Sequence, residues 1–158
     1  MVDVGDDAPD FSAPLANGDV ESFTLSGALG DGPVVLAFFP GAFTGVCTDE
    51  MCAFRDALGE FESVDATVFG VSVDTPFSLN EFRAENDLGF GLVSDTDKEV
   101  IDAYGVRDSD FADYGYAAAK RSVFVLDGEG TVTYRWVTDD PGVEPDYEAV
   151  REAAADAA

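Results

Sequence analysis

This 158-residue chain predicts an α/β fold, a central mixed β-sheet flanked by helices with an N-terminal hairpin, on three grounds. Residues 33–39 are apolar without alternation and rich in β-branched and aromatic side chains, as strands covered on both faces are, and residues 66–73 read as a second buried strand. Each is followed by apolar residues at helical spacing, the alternation that joins parallel strands through helices. Two further pairs of strand-like segments close on turn residues, at Asn17-Gly18 and at Asp127-Gly-Glu-Gly130.

The first hairpin pairs residues 11–15 with 20–24 across Asn17-Gly18. The buried strand 33–39 ends at Pro40, which cannot continue it. From Cys47 onward, Met51, Cys52, Phe54, Arg55, Leu58 and Phe61 recur at roughly helical spacing. Thr44 and Thr48 are cap candidates, and Asp49 and Glu50 fall in the first turn, which places Cys47 at a helix N-terminus. Residues 66–73 form the next strand, and Asp74-Thr-Pro76 opens a helix to about Asn86 with Pro76 near its N1 position. A short strand at 91–94 and a helix from about Asp97 to Tyr104 follow. Residues 108–119 have no period: they read as an acidic surface loop anchored by aromatics, or as an element shaping a site entrance or a dimer contact. Residues 121–126 and 131–137 make the second hairpin, and 145–158 a last helix that frays at its Ala-rich end. There is no internal repeat, no low-complexity linker and no Gly-rich phosphate loop; Gly128-Glu-Gly130 is a hairpin turn.

Composition narrows the function. The length fits one domain over residues 1–158, and 46% hydrophobic residues, thirteen Phe among them, can fill a sizeable core. No apolar stretch approaches the roughly 20 residues of a membrane span, and the acidic start lacks the basic opening of a signal peptide, so a cytoplasmic protein without membrane partner is expected. The absence of histidine removes Cys-His and Ser-His-Asp catalysis and His-containing zinc sites; two cysteines alone disfavour haem or an iron–sulfur cluster, so neither cofactor nor metal is expected. In a reducing compartment those cysteines are redox-active rather than a permanent staple.

With 33 acidic residues against eight Lys and Arg, the net charge is −25. Nucleic acid is disfavoured as a partner, because its phosphates would be repelled. Such acidity in a chain that retains an aromatic core resembles the proteins of extreme halophiles. In molar salt the Debye length is about 3 Å, and self-repulsion that would destabilise the fold in dilute buffer is screened. In dilute salt the same negative surface repels anionic substrates, so small neutral ones are favoured.

The segment Pro40-Gly41-Ala42-Phe43-Thr44-Gly45-Val46-Cys47 carries the chemistry. A helix N-terminus offers unpaired N–H groups and about half a positive charge, which favour an anionic sulfur. That effect is worth about 0.3–1 kcal/mol when exposed and up to ~2 when partly buried, too little alone, so a fixed cation is required nearby. Arg121 opens the strand 121–126 and is the best-placed cation; its planar fork can hold a thiolate and an incoming oxygen together, as a lysine cannot.

At these residues the chain resembles the peroxiredoxins, thiol-specific peroxidases whose signature is Pro-x-x-x-Thr-x-x-Cys. Pro40, Thr44 and Cys47 fill every fixed position, and the likeness runs from about Gly5 to Arg135. The resemblance implies a thioredoxin-like fold, which the order of elements also matches, with Cys47 and Arg121 meeting on one edge of the sheet. It implies that Cys47 is the peroxidatic nucleophile, that Thr44 hydrogen-bonds the peroxide, that Pro40 shields the sulfenic acid and that Arg121 completes the pocket. Glu50 matches a family acid that pairs with an arginine, for which Arg135 is the candidate. Otherwise Asp49 and Glu50 are acids placed favourably in a first helical turn, Thr44 a turn or capping residue, and Arg121 a solvated strand-end charge.

The spacing Cys47-Thr-Asp-Glu-Met-Cys52 resembles the bacterioferritin-comigratory and alkyl hydroperoxide reductase E-like branch, in which a second cysteine on the same helix resolves the sulfenic acid. Residues five apart on an ideal helix have Cα atoms roughly 8–9 Å apart, whereas a disulfide needs about 7 Å or less. Resolution by Cys52 therefore requires the first turns to unwind; the alternative is that Cys52 is a small core residue. The implied activity is reduction of hydrogen peroxide and organic hydroperoxides, with recycling by a thioredoxin- or glutaredoxin-like reductant, or by an external thiol in a one-cysteine enzyme. A homodimer packed near the site is implied by the resemblance alone. The rivals are a thiol-disulfide oxidoreductase, which the four residues between the cysteines fit poorly, and a non-catalytic chaperone or binding domain on the same fold.

Overall fold

In the computed structural model, which describes residues 2–158, the chain begins with β1 (Ser12–Asn17), β2 (Asp19–Thr24), α1 (Leu25–Ala28) and β3 (Val34–Phe38). It continues through α2 (Gly45–Asp56), α3 (Leu58–Glu62), β4 (Thr67–Ser72), α4 (Pro76–Glu85), β5 (Gly91–Ser94) and α5 (Glu99–Ala103). The last elements are β6 (Arg107–Asp108), β7 (Ala118–Ala119), β8 (Ser122–Leu126), β9 (Val132–Val137) and α6 (Tyr147–Ala157). Seven strands form one sheet in the order β2-β1-β5-β4-β3-β8-β9. β3, β4 and β5 are parallel; β1 on β5, β8 on β3 and both hairpins are antiparallel, so the sheet is mixed as expected.

β3 shows why its sequence does not alternate. Val35 and Ala37, followed by Phe39, point to the face covered by α2, α3, α4 and α6, while Val34, Leu36 and Phe38 point to the face that holds α5, Tyr104 and Phe124. Both faces are dry, and all five strand residues are buried. Gly70 on β4 admits close packing on the first face: a Cβ there would stand 3.1 Å from Phe39 and 3.2 Å from the Met51 sulfur, and 2.6 Å from Leu92.

Boundaries shifted where side chains, not propensity, set them. α5 starts at Glu99 rather than Asp97, because Lys98 is left-handed (φ 61°) and the buried Asp95 carboxylate accepts from the N–H groups of Val100 and Ile101. α4 begins at Pro76 as expected, with Thr75 accepting from the Ser78 N–H. Residues 108–119 close through the β6–β7 ladder around a short 3-10 turn at Phe111–Asp113, with Phe111 packed on Tyr114 and Tyr116, both of them exposed. That is the aromatic-anchored surface loop.

Candidate active site

α2 begins two residues earlier than Cys47, with Thr44 as its N-cap. The first intrahelical bond runs from the Thr48 N–H to the Thr44 carbonyl at 3.0 Å, so the N–H groups of Gly45, Val46 and Cys47 precede the ladder. Cys47 therefore occupies the first turn, as expected, and is fully buried. The Thr44 hydroxyl does not cap the helix; it donates to the Gly41 carbonyl at 2.8 Å, and Thr48 donates to the Thr44 carbonyl at 2.8 Å. Pro40 is buried at the end of β3 and Thr44 is exposed.

The earlier start of α2 corrects the reading of Glu50. No acid lies in the first turn. Glu50 sits in the second turn and points inward with no solvent exposure, while Asp49 alone faces solvent. The expected pairing with Arg135 is also corrected. Glu50 Oε1 accepts from Arg121 Nη1 at 2.7 Å, whereas Arg135 lies on β9 with its Nε 3.9 Å from Asp3 Oδ1 and no hydrogen bond.

Arg121 is the hub. It immediately precedes β8, and the antiparallel register that pairs Phe38 with Ser122 brings it beside the end of β3. The meeting point is thus one end of two interior strands, with Cys47 at the adjoining helix start, the strand and helix ends at which the two were expected to meet. Its Nη2 donates to Cys47 Sγ at 3.2 Å, and its Nε and Nη2 donate to the Pro141 carbonyl at 3.2 and 2.8 Å. The guanidinium is 1% exposed, so these contacts act in low dielectric. Burial works against its charge, but Glu50 and the Cys47 sulfur more than offset that and hold Arg121 above its ordinary value. Burial pushes Glu50 up to about 8 against the opposing pull of Arg121, and its Oε2 has no partner. The Pro141 contact was invisible beforehand: Asp140-Pro141-Gly142 announces a turn after β9 but not where the turn lands.

Cys52 lies further along α2, half-buried and outside the core clusters, with its Sγ 3.8 Å from Asn86 Oδ1; both cysteines are free. That place does not fit a fully buried core residue. Among the described residues no cluster of His, Cys, Asp or Glu could hold a metal ion, and no helix is long and apolar enough to cross a membrane.

A buried cysteine at a helix start, bonded by a guanidinium at the strand ends of a mixed sheet, defines a cysteine-based redox enzyme on a thioredoxin-like fold. The AhpC/TSA family profile matches residues 4–135. Peroxiredoxin Bcp of Escherichia coli K12 is 34% identical over 137 residues, covering 86% of this chain and 85% of that protein. The crystal structure of peroxidoxin BcpB from Mycobacterium tuberculosis superposes with a TM-score of 0.84 at 32% identity, covering 98% of this chain and 96% of the other. Mycobacterium tuberculosis AhpC gives a TM-score of 0.84 at 27% identity over 98% and 92% of the two chains. The chain belongs to the AhpC/TSA family, the peroxiredoxins, and is a thiol-dependent peroxidase whose relatives are consistent with the Bcp-like branch.

Proposed function

We propose that Cys47 is the peroxidatic nucleophile, that Thr44, Pro40 and Arg121 complete its pocket, and that Cys52 resolves the oxidised form. The Cys47 thiolate attacks one peroxide oxygen, the O–O bond breaks, and the second oxygen leaves as water or alcohol after taking a proton; Cys47 is then a sulfenic acid. The Cys52 thiol displaces water from it to form a disulfide, which a dithiol of thioredoxin or glutaredoxin type reduces.

The 3.2 Å contact from Arg121 Nη2 to Cys47 Sγ carries this reading. The buried cluster contains one cation and two acids. A net negative charge in the interior costs several kcal/mol, so one acid keeps its proton. Burial pushes Glu50 up to about 8, so its carboxyl is protonated at neutral pH and the Arg121 guanidinium, 3.2 Å from Cys47 Sγ, is not neutralised by it. Cys52, half-buried on the same helix, supports resolution, provided the first turns of α2 unwind and release Cys47 and Glu50 from their buried places. The same reading takes in a cytoplasmic enzyme working in concentrated salt, small neutral peroxides as preferred substrates, and a homodimer packed near the site.

The test is peroxide consumption in molar KCl with dithiothreitol for wild type, Cys47→Ser and Cys52→Ser, with free thiols titrated after one equivalent of peroxide. Loss of turnover in Cys47→Ser, two thiols lost in wild type and a stable sulfenic acid in Cys52→Ser are expected. Turnover persisting in Cys47→Ser would refute the nucleophile. One thiol lost in wild type, with equal turnover in Cys52→Ser, would make this a one-cysteine peroxidase.

A further inference from the structure

The loop between β3 and α2 is held by a side chain outside the motif. The Ala42 N–H donates to Asp74 Oδ2 at 2.8 Å, and the Thr44 hydroxyl donates to the Gly41 carbonyl at 2.8 Å. Both bonds meet in one peptide group, since the Gly41 carbonyl and the Ala42 N–H flank the same C–N bond. An amide whose N–H is bonded to a carboxylate becomes a stronger acceptor at its oxygen, because bonds in a chain polarise one another.

Asp74 is itself anchored. Its Oδ2 also accepts from Ser72 Oγ at 2.7 Å, and its backbone carbonyl accepts from Ser94 Oγ at 2.6 Å. Ser72 and Ser94 are buried at the ends of β4 and β5. The carboxylate is therefore held by Ser72 at the end of β4 and its backbone by Ser94 at the end of β5, and the loop is held by the carboxylate.

We propose that Asp74 is a positioning residue for peroxide reduction, acting on the Thr44 hydroxyl through the Gly41–Ala42 peptide. The Thr44 hydrogen is committed to the Gly41 carbonyl, which leaves the oxygen lone pairs to accept from the O–H of a hydroperoxide. Asp74 sets that orientation without touching the substrate. The proposal rests on the assignment of Cys47 and Thr44 above. It also separates peroxides, which bring an O–H to Thr44, from thiol reagents that do not.

The experiment uses the Cys52→Ser background, where Cys47 is the sole thiol, and compares the second-order rates of Cys47 with hydrogen peroxide and with iodoacetamide. Asp74→Ala is expected to lower the peroxide rate about tenfold, the worth of one hydrogen bond, with the alkylation rate little changed. In a Thr44→Val background the same substitution should leave the peroxide rate within about twofold. Should Asp74→Ala lose the native circular dichroism, Asp74→Asn, which keeps an acceptor but not the charge, is read by the same criteria with a smaller fall, about threefold. An unchanged peroxide rate, equal falls in both reactions, or a fall that persists in Thr44→Val would overturn the proposal. A parent protein inert to peroxide would instead overturn the assignment of Cys47.

Discussion

Replacing Glu50 by Gln should remove a pH dependence of stability that the buried pair imposes. The Glu50 carboxyl moves from 4.5 in the unfolded chain to about 8 in the folded protein, because burial without a partner for Oε2 outweighs the attraction of Arg121. Between those values the folded state holds a proton that the unfolded state has released, so stability is greatest near pH 4.5 and falls as pH rises toward 8. At ~1.36 kcal/mol per unit, the loss across the window reaches at most about 5 kcal/mol, a large part of a typical domain's 5–15 kcal/mol. Gln is the permanent analogue of the protonated form. Its amide nitrogen, at the place of Oε2, lacks a partner and costs about 1–3 kcal/mol, so the variant starts less stable and then loses little. Urea unfolding in molar KCl from pH 5 to 8.5 reads both curves, with surface repulsion screened. The comparison belongs in the Cys47→Ser background, where no thiol beside Arg121 can titrate. Asp95, also raised by burial, contributes equally to both curves. Converging curves are expected; parallel curves would refute the reasoning, since they would mean that Glu50 gives up its proton as readily folded as unfolded.

Arg121→Lys should slow the reaction of Cys47 with peroxide about a hundredfold in stopped-flow measurements, since one ammonium cannot serve Cys47, Glu50 and the Pro141 carbonyl together; a fall below threefold would show that any cation suffices. Arg135→Ala should leave peroxide turnover within about twofold, because Arg135 faces Asp3 rather than Glu50, and a tenfold loss would restore the abandoned pairing. The melting midpoint should rise from dilute buffer to molar KCl, given a net charge of −25, and an unchanged midpoint would remove the argument for adaptation to salt.

The fold was largely legible because its signals are local. A strand buried on both faces reads as an apolar run, as β3 does throughout and β4 does from Val68 to Val71; a proline at N1 and a threonine before it mark the start of α4. The placement of Cys47 was legible for the same reason, as Thr44 and Cys47 share one helix start. Glu50 misled because an acid three residues beyond the cysteine looks like a first-turn acid when the helix is started at the cysteine. The helix starts at Gly45, which puts Glu50 in the second turn, and it is buried because it shares a face with Cys47, Met51 and Phe54. Asp74 looked like part of a helix-opening turn and no more, since the Ala42 N–H it accepts lies 32 residues away in sequence.

What the sequence alone determined, then, is whatever depends on neighbours along the chain: the class of fold, the order of the main strands and helices though not α1, β6, β7 or the break at Ala57 between α2 and α3, and the placement of Cys47 at a helix start. Tertiary structure alone decided who partners whom. Arg121 reaches Cys47, Glu50 and Pro141 because β8 lies antiparallel on β3 with Ser122 opposite Phe38, a register that no local pattern encodes. Charge pairing in a buried site is set by which strand ends coincide in space, and a one-dimensional pattern leaves more than one arginine as a candidate partner for Glu50 until the sheet selects Arg121.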